Sequence, residues 1–133
     1  MELAKARGAR LVQRLAVSIA SHSPLMQNAS VHFNELVSRI HFRTPEIPLI
    51  ANISAKALTT VEDLRAELSD QLTRPVQWTR SVQEMVAHGV DTFVEIGPKQ
   101  VLTGLIKRIS PDSKPVNLTD AEVVKLLTST DAS

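Results

Sequence analysis

The sequence from Leu15 to Met26 constrains the fold of this chain more than any other stretch. Leu15, Val17 and Ile19 alternate with smaller residues, which predicts a strand with one apolar face. Ser23-Pro24 then predicts a helix start: serine suits the N-cap, and proline suits the first helical position, where an N–H has no partner to lose. His22 is thereby placed between the C-terminal end of a strand and a helix N-terminus. That edge is where ligands and chemistry gather in open α/β sheets. Histidine can move a proton near neutral pH. It is equally a common exposed polar residue with no task, and position alone leaves both readings open.

The remaining pattern extends the alternation. Residues 2–7 have helical composition, stopped by Gly8, and form less than two turns. Ala9 to Ile19 holds the first strand. Pro24 to about Ser38 is an amphipathic helix, with Leu25, Ala29, Phe33, Leu36, Val37 and Ile40 on the predicted inner face. His32 and His41 read as surface residues. Pro45–Ile53 predicts a short strand covered on both faces, because Leu49 to Ile53 is nearly all apolar. Asn52 interrupts it; a buried asparagine is either tied into backbone or close to a site.

Thr60 with Asp63 resembles a capping box, and Leu64, Leu68 and Leu72 mark the buried stripe of the helix it opens. Pro75 ends that pattern. A further helix follows from about Val76 to His88, with Val82, Met85 and Val86 inward and His88 structural. Asp91–Ile96 reads as a strand, and Gly97-Pro98 opens a helix to about Ile109 with Val101, Leu102, Leu105 and Ile109 inward. Lys99 is either a solvated lysine or a contact for an anionic group. Pro115–Leu118 is a last strand, and Thr119 to Glu122 is a capping box opening a last helix. The order implies an α/β fold, part of a largely parallel sheet with flanking helices. About four strands and a first strand without a preceding partner suggest part of a larger domain.

Several function classes lack their motifs. There is no cysteine, hence no disulfide, thiolate metal site or cysteine nucleophile. The 15 basic and 14 acidic residues nearly balance, so charge argues for neither nucleic acid nor membrane surface as a partner. No apolar run approaches the roughly 20 residues of a membrane span. Phosphate-binding glycine loops, histidine pairs with metal spacing and a Gly-x-Ser-x-Gly nucleophile elbow are all missing from the sequence. A cytoplasmic protein without a metal is the expectation.

Three stretches in order resemble one family, the malonyl-CoA:acyl carrier protein transacylases. Ser18-Ile-Ala-Ser-His-Ser-Pro-Leu-Met26 is similar to its histidine motif. Gln71-Leu-Thr-Arg-Pro-Val-Gln-Trp78 is similar to its Gln-Leu-x-x-Pro-Val-Gln-Trp segment, and Glu95-Ile-Gly-Pro98 to its Glu-x-Gly-Pro segment. The resemblance implies an acyltransferase of fatty acid biosynthesis. A serine takes malonyl from coenzyme A as an ester and hands it to the phosphopantetheine thiol of acyl carrier protein, with no cofactor. It makes His22 the general base and Gln71 the residue that orients it by accepting a hydrogen bond. It also puts Ser21 at the substrate pocket, and Asn52 joins it there if that asparagine lies close to the site.

By the same resemblance, residues 1–8 correspond to the end of a small ferredoxin-like subdomain. Residues 9–133 correspond to the C-terminal half of the large α/β acyltransferase subdomain. The nucleophilic serine, the oxyanion donors and the arginine for the malonyl carboxylate have no counterpart in the sequence. The expectation is a C-terminal fragment that is inactive alone, either truncated or completed by another chain. Ile19-Ala-Ser-His resembles the Tyr-Ala-Ser-His tetrad that accompanies methylmalonyl selection in synthase acyltransferases, except at its first position. The downstream segments favour malonyl. The alternatives are an acyltransferase domain of a polyketide synthase, a non-catalytic carrier-protein-binding module, and an esterase-like remnant.

Overall fold

The computed structural model describes residues 1–14, 16, 19–118 and 125. Helix α1 (Glu2–Ala6) ends at Gly8, whose φ of 82° lets the chain leave in a left-handed turn. Between α1 and His22 the described residues form no strand, and Leu11 is 81% exposed. The first-strand expectation therefore fails for those residues; Leu15, Val17 and Ser18 lie outside the described set. An alternating apolar pattern makes a strand only where a second strand supplies hydrogen bonds, and none of the described strands pairs there.

Helix formation follows the sequence closely. A 3-10 turn over Pro24–Met26 leads into α2 (Gln27–Arg39). Of the predicted inner face of α2, Val37 is buried, while Leu25, Leu36 and Ile40 are exposed. The side that is covered meets α3 (Val61–Asp70). There Arg65 donates to the carbonyls of Val37 at 2.9 Å and Ile40 at 2.7 Å, satisfying the C-terminal carbonyls of α2. Its guanidinium also lies 4.9 Å from the Phe42 ring centre. The capping box at the start of α3 is present: Thr60 Oγ1 accepts from the Asp63 amide, and Asp63 accepts from the Thr60 amide.

The strand expected over 45–53 is reduced to β1 (Leu49–Ile50), which pairs antiparallel with β2 (Ala57–Leu58). The reversal passes through Ala55 at φ 58°, and the Ala51 amide donates to the Lys56 carbonyl at 2.8 Å. This hairpin carries polar residues at its turn, and Leu49 is exposed, so it is not a strand covered on both faces. Pro48, lacking an N–H, borders the ladder at its start. Ser81 of α4 (Trp78–Ala87) donates to the Ala51 carbonyl at 3.2 Å and fastens the hairpin to that helix.

Strands β3 (Thr92–Ile96) and β4 (Lys114–Leu118) pair in parallel, with Thr92 opposite Lys114 and Ile96 opposite Leu118. Helix α5 (Val101–Ile109) makes the crossover that parallel strands require. The fold is thus α/β, with a small parallel sheet and flanking helices as expected. Its core is Val82 of α4, Phe93 of β3 and Ile106 of α5, with Trp78, Met85 and Ile109 packed against it. On α5 the buried positions are Thr103 and Ile106, whereas Val101 and Leu102 are exposed. Val86 of α4 likewise faces out. Of the last predicted helix, Lys125 is helical; the capping box at Thr119–Glu122 and the apolar residues after it lie outside the described set. No helix among the described residues is long and apolar enough to cross a membrane.

Candidate active site

His22 sits in a tight turn with φ 61°, the left-handed region that non-glycine residues seldom occupy. Such strain persists where surrounding contacts over-determine it, and it clusters at functional sites. Two local bonds hold the turn. Ser23 Oγ donates to the Ala20 carbonyl at 2.7 Å, and the Met26 amide donates to the Ser23 carbonyl at 3.0 Å. Ser23 is extended, as an N-cap residue should be, and Pro24 opens the helical turn. Its hydroxyl, however, reaches back to Ala20 and does not cap, so Ser23 shapes the histidine turn.

The half-buried His22 ring meets one partner across the fold: its Nδ1 is 2.8 Å from the main-chain carbonyl oxygen of Gln71. A carbonyl can only accept, so Nδ1 carries the proton. In the neutral ring Nε2 then holds the lone pair and is the proton acceptor. The expected pair therefore forms, through the backbone of Gln71. The Gln71 carbonyl belongs to the C-terminal end of α3, where Gln71 is the helix cap with φ −55° and ψ −38°. Free carbonyls at that end carry the partial negative charge of the helix. The Gln71 carbonyl meets Nδ1, the ring nitrogen that a carboxylate meets in a Ser-His-Asp triad. Gln71→Ala should accordingly leave the Nδ1–H tautomer of His22 dominant, since alanine keeps the acceptor. Ring-nitrogen shifts that move to the other tautomer in Gln71→Ala would contradict this.

Asn52 is exposed, not buried, and its backbone is engaged on both sides. Its amide donates to Glu67 Oε1 at 2.6 Å, and its carbonyl accepts from the Gln77 amide at 2.7 Å. The Ile53 amide donates to the same Glu67 oxygen at 3.0 Å. The premise of a buried asparagine fails: the bonds at Asn52 are made by its backbone, and Asn52 borders a cavity of about 390 Å³ with Gln71, Glu67, Phe42 and Leu68. Ser21 is exposed in the histidine turn and is not among the residues lining that cavity. Glu67 was not foreseeable from sequence, where it is one more acidic residue on a helix.

The Glu-x-Gly-Pro segment forms a second ordered edge. Glu95 accepts from the amides of Leu102 at 3.1 Å and Thr103 at 2.8 Å, capping α5 from the neighbouring strand. Asn117, also unforeseen, donates to the Lys99 carbonyl at 2.8 Å and holds the Gly97–Lys99 loop. Gly97 has φ 146°, which favours glycine. These bonds start α5 at Val101, three residues later than Pro98 suggests. His32 and His88 are surface residues beside Glu35 and Glu84. Among the described residues no group of three or more potential metal ligands occurs.

The Thr103 side chain, and then the Thr103 amide, hold the Glu95 carboxyl below its ordinary pKa. A carboxyl depressed in the folded state contributes stability above its unfolded pKa and loses it as pH falls through the folded value. Thermal stability should therefore fall on acidification through and below the ordinary carboxylate range. Glu95→Gln should be less stable than the parent at neutral pH, and the difference should shrink as pH falls. A difference that stays constant with pH would contradict the assignment.

No protein-family model matches the chain. A curated relative, the malonyl CoA-acyl carrier protein transacylase of Bacillus subtilis, is 37% identical over 125 residues, which span 94% of this chain and 39% of the relative. The crystal structure of the corresponding transacylase from Xanthomonas oryzae superposes with a TM-score of 0.85 at 36% identity, over 96% of this chain and 41% of that one. The chain is similar to part of the malonyl CoA-acyl carrier protein transacylases. A further solved structure, a malonyl-transacylase in complex with its type II PKS acyl-carrier protein, superposes at 0.86 with 35% identity, over 96% of this chain and 42% of that one. The chain spans about two-fifths of the length of the transacylases it matches.

Proposed function

We propose that these 133 residues supply the histidine-bearing part of an acyltransferase of fatty acid biosynthesis. The enzyme moves malonyl from coenzyme A to the phosphopantetheine thiol of acyl carrier protein, in the cytoplasm and without a cofactor. One observation carries the reading: His22 donates through Nδ1 to a carbonyl at a helix C-terminus and so leaves the lone pair on Nε2. Residues 1–8 then form the end of a ferredoxin-like subdomain and residues 9–133 part of the α/β acyltransferase subdomain. Ser21 and Asn52 border the acyl group. The complex known for one relative supports acyl carrier protein as the partner. It also favours a second setting, the same transfer in polyketide synthesis.

The nucleophile is a serine outside these residues. Nε2 of His22 takes its proton as the oxygen attacks the malonyl thioester; the carbon–sulfur bond breaks, and the proton leaves with the thiol of coenzyme A. In the second half Nε2 takes the proton of the phosphopantetheine thiol, sulfur attacks the ester, and the serine regains its proton. The growing positive charge on the ring faces the partial negative charge of the α3 carbonyls.

The test joins this chain in frame to the part of the Bacillus subtilis relative that its match leaves uncovered. The joined protein should load acyl carrier protein from malonyl-CoA, and the 133-residue chain should not. Loading by the chain alone, or hydrolysis of malonyl-CoA by the joined protein as fast as transfer, would refute the proposal.

A further inference from the structure

We infer that Glu67 is a positioning residue for His22, acting through the Gln71 carbonyl; the inference rests on the base role proposed for that histidine. Glu67 and Gln71 stand four residues apart, on one face of the last turn of α3. One carboxylate oxygen of Glu67 collects two successive amides, those of Asn52 and Ile53, at 2.6 and 3.0 Å. Hydrogen bonds to an ionised acceptor are stronger than neutral ones. The Asn52 carbonyl in turn accepts from the Gln77 amide at 2.7 Å. The connection from Gln71 to Gln77, which Pro75 keeps from being helical, is thus fastened at both ends: to α3 at Gln71, and through Asn52 and Glu67 to α3 again at Gln77. The Gln71 carbonyl points at His22 only while the end of α3 keeps its helical dihedrals and this connection keeps its place. Glu67, Asn52 and Gln71 also border one cavity, so the clamp and the acceptor share a wall.

Removing the carboxylate leaves two amides without their partner, which costs more than an ordinary exposed substitution. Glutamine at position 67 retains an acceptor oxygen and should preserve the clamp. The test is ¹⁵N NMR of the 133-residue chain at a pH where imidazoles are neutral, reading the His22 ring nitrogens and amide exchange at Asn52 and Ile53. In the parent the Nδ1–H tautomer should dominate. In Glu67→Ala exchange at both amides should rise by about tenfold or more, equivalent to at least 1.4 kcal/mol of lost protection, and the His22 tautomers should move toward an even mixture. Glu67→Gln should resemble the parent in both readouts. Glu67→Leu, which keeps bulk without an acceptor, repeats the test if alanine prevents folding.

Unchanged His22 ring shifts in Glu67→Ala or Glu67→Leu, alongside faster amide exchange, would overturn the inference. So would a glutamine variant that behaves like alanine. The readout does not depend on activity. A joined protein without transfer activity whose His22 tautomer still follows Glu67 would reject the proposed function and uphold the clamp.

Discussion

Replacing His22 with alanine in the joined protein is expected to slow malonyl loading of its serine by roughly 10³-fold or more. The size follows from the geometry. Nδ1 is committed to the Gln71 carbonyl, so Nε2 is the one ring position able to accept the serine proton. Removing the ring removes both the acceptor and the positive charge that forms beside the α3 terminus. Binding of malonyl-CoA should change little, since the loss falls on the proton transfer and not on contacts made equally before it. Pre-steady-state acylation separates the two: the rate of ester formation should collapse while the concentration giving half-saturation stays within a few-fold. Parent-like acylation in His22→Ala would remove the basis for the base assignment. The left-handed backbone at His22 makes a companion expectation, that the turn tolerates glycine conformationally, but glycine too would lack the base.

Phe93→Ala should be the most damaging substitution for folding. Phe93 is 8% exposed and, with Val82 at 0% and Ile106, makes the buried core that joins β3 to α4 and α5. A buried phenylalanine truncated to alanine costs about 3–5 kcal/mol, against a total of about 5–15 kcal/mol for an ordinary domain. With so few buried residues among the described ones, the loss should leave a large unfolded fraction at room temperature, read as a drop in the urea midpoint. Val94→Ala is the control: it is the next residue on β3, but 52% exposed. Equal midpoint shifts for Phe93→Ala and Val94→Ala would show that the core is elsewhere.

Signals that are local in sequence survive in the structure. Thr60 and Asp63 form their box because cap and acceptor are three residues apart and need no other part of the chain. Gly8 and Pro24 mark helix boundaries for the same reason. Patterns that depend on a distant partner are less legible. Alternation before Ile19 describes a face without supplying the neighbouring strand, and the β1–β2 hairpin depends on a reversal at Ala55 that alanine does not advertise. Ser23 is a good capping residue on chemical grounds, yet the Ala20 carbonyl competes for its hydroxyl and wins.

At the site, the pairing of positions 22 and 71 was legible through the family motifs. The atom was not, since a side-chain motif is silent about main-chain carbonyls. Glu67 and Asn117 act on amides and carbonyls 14 to 18 residues or more away in sequence, and their types alone signal no such role.

Intact-mass measurement after brief exposure to malonyl-CoA tests the central claim most directly. The joined protein should gain one malonyl group on a serine outside these 133 residues. The same protein with His22→Ala should gain none on that timescale, and neither should the 133-residue chain by itself. A malonyl adduct on the chain alone that passes to acyl carrier protein, or equal adduct formation with and without His22, would contradict a transacylase whose base is His22 and whose nucleophile lies elsewhere.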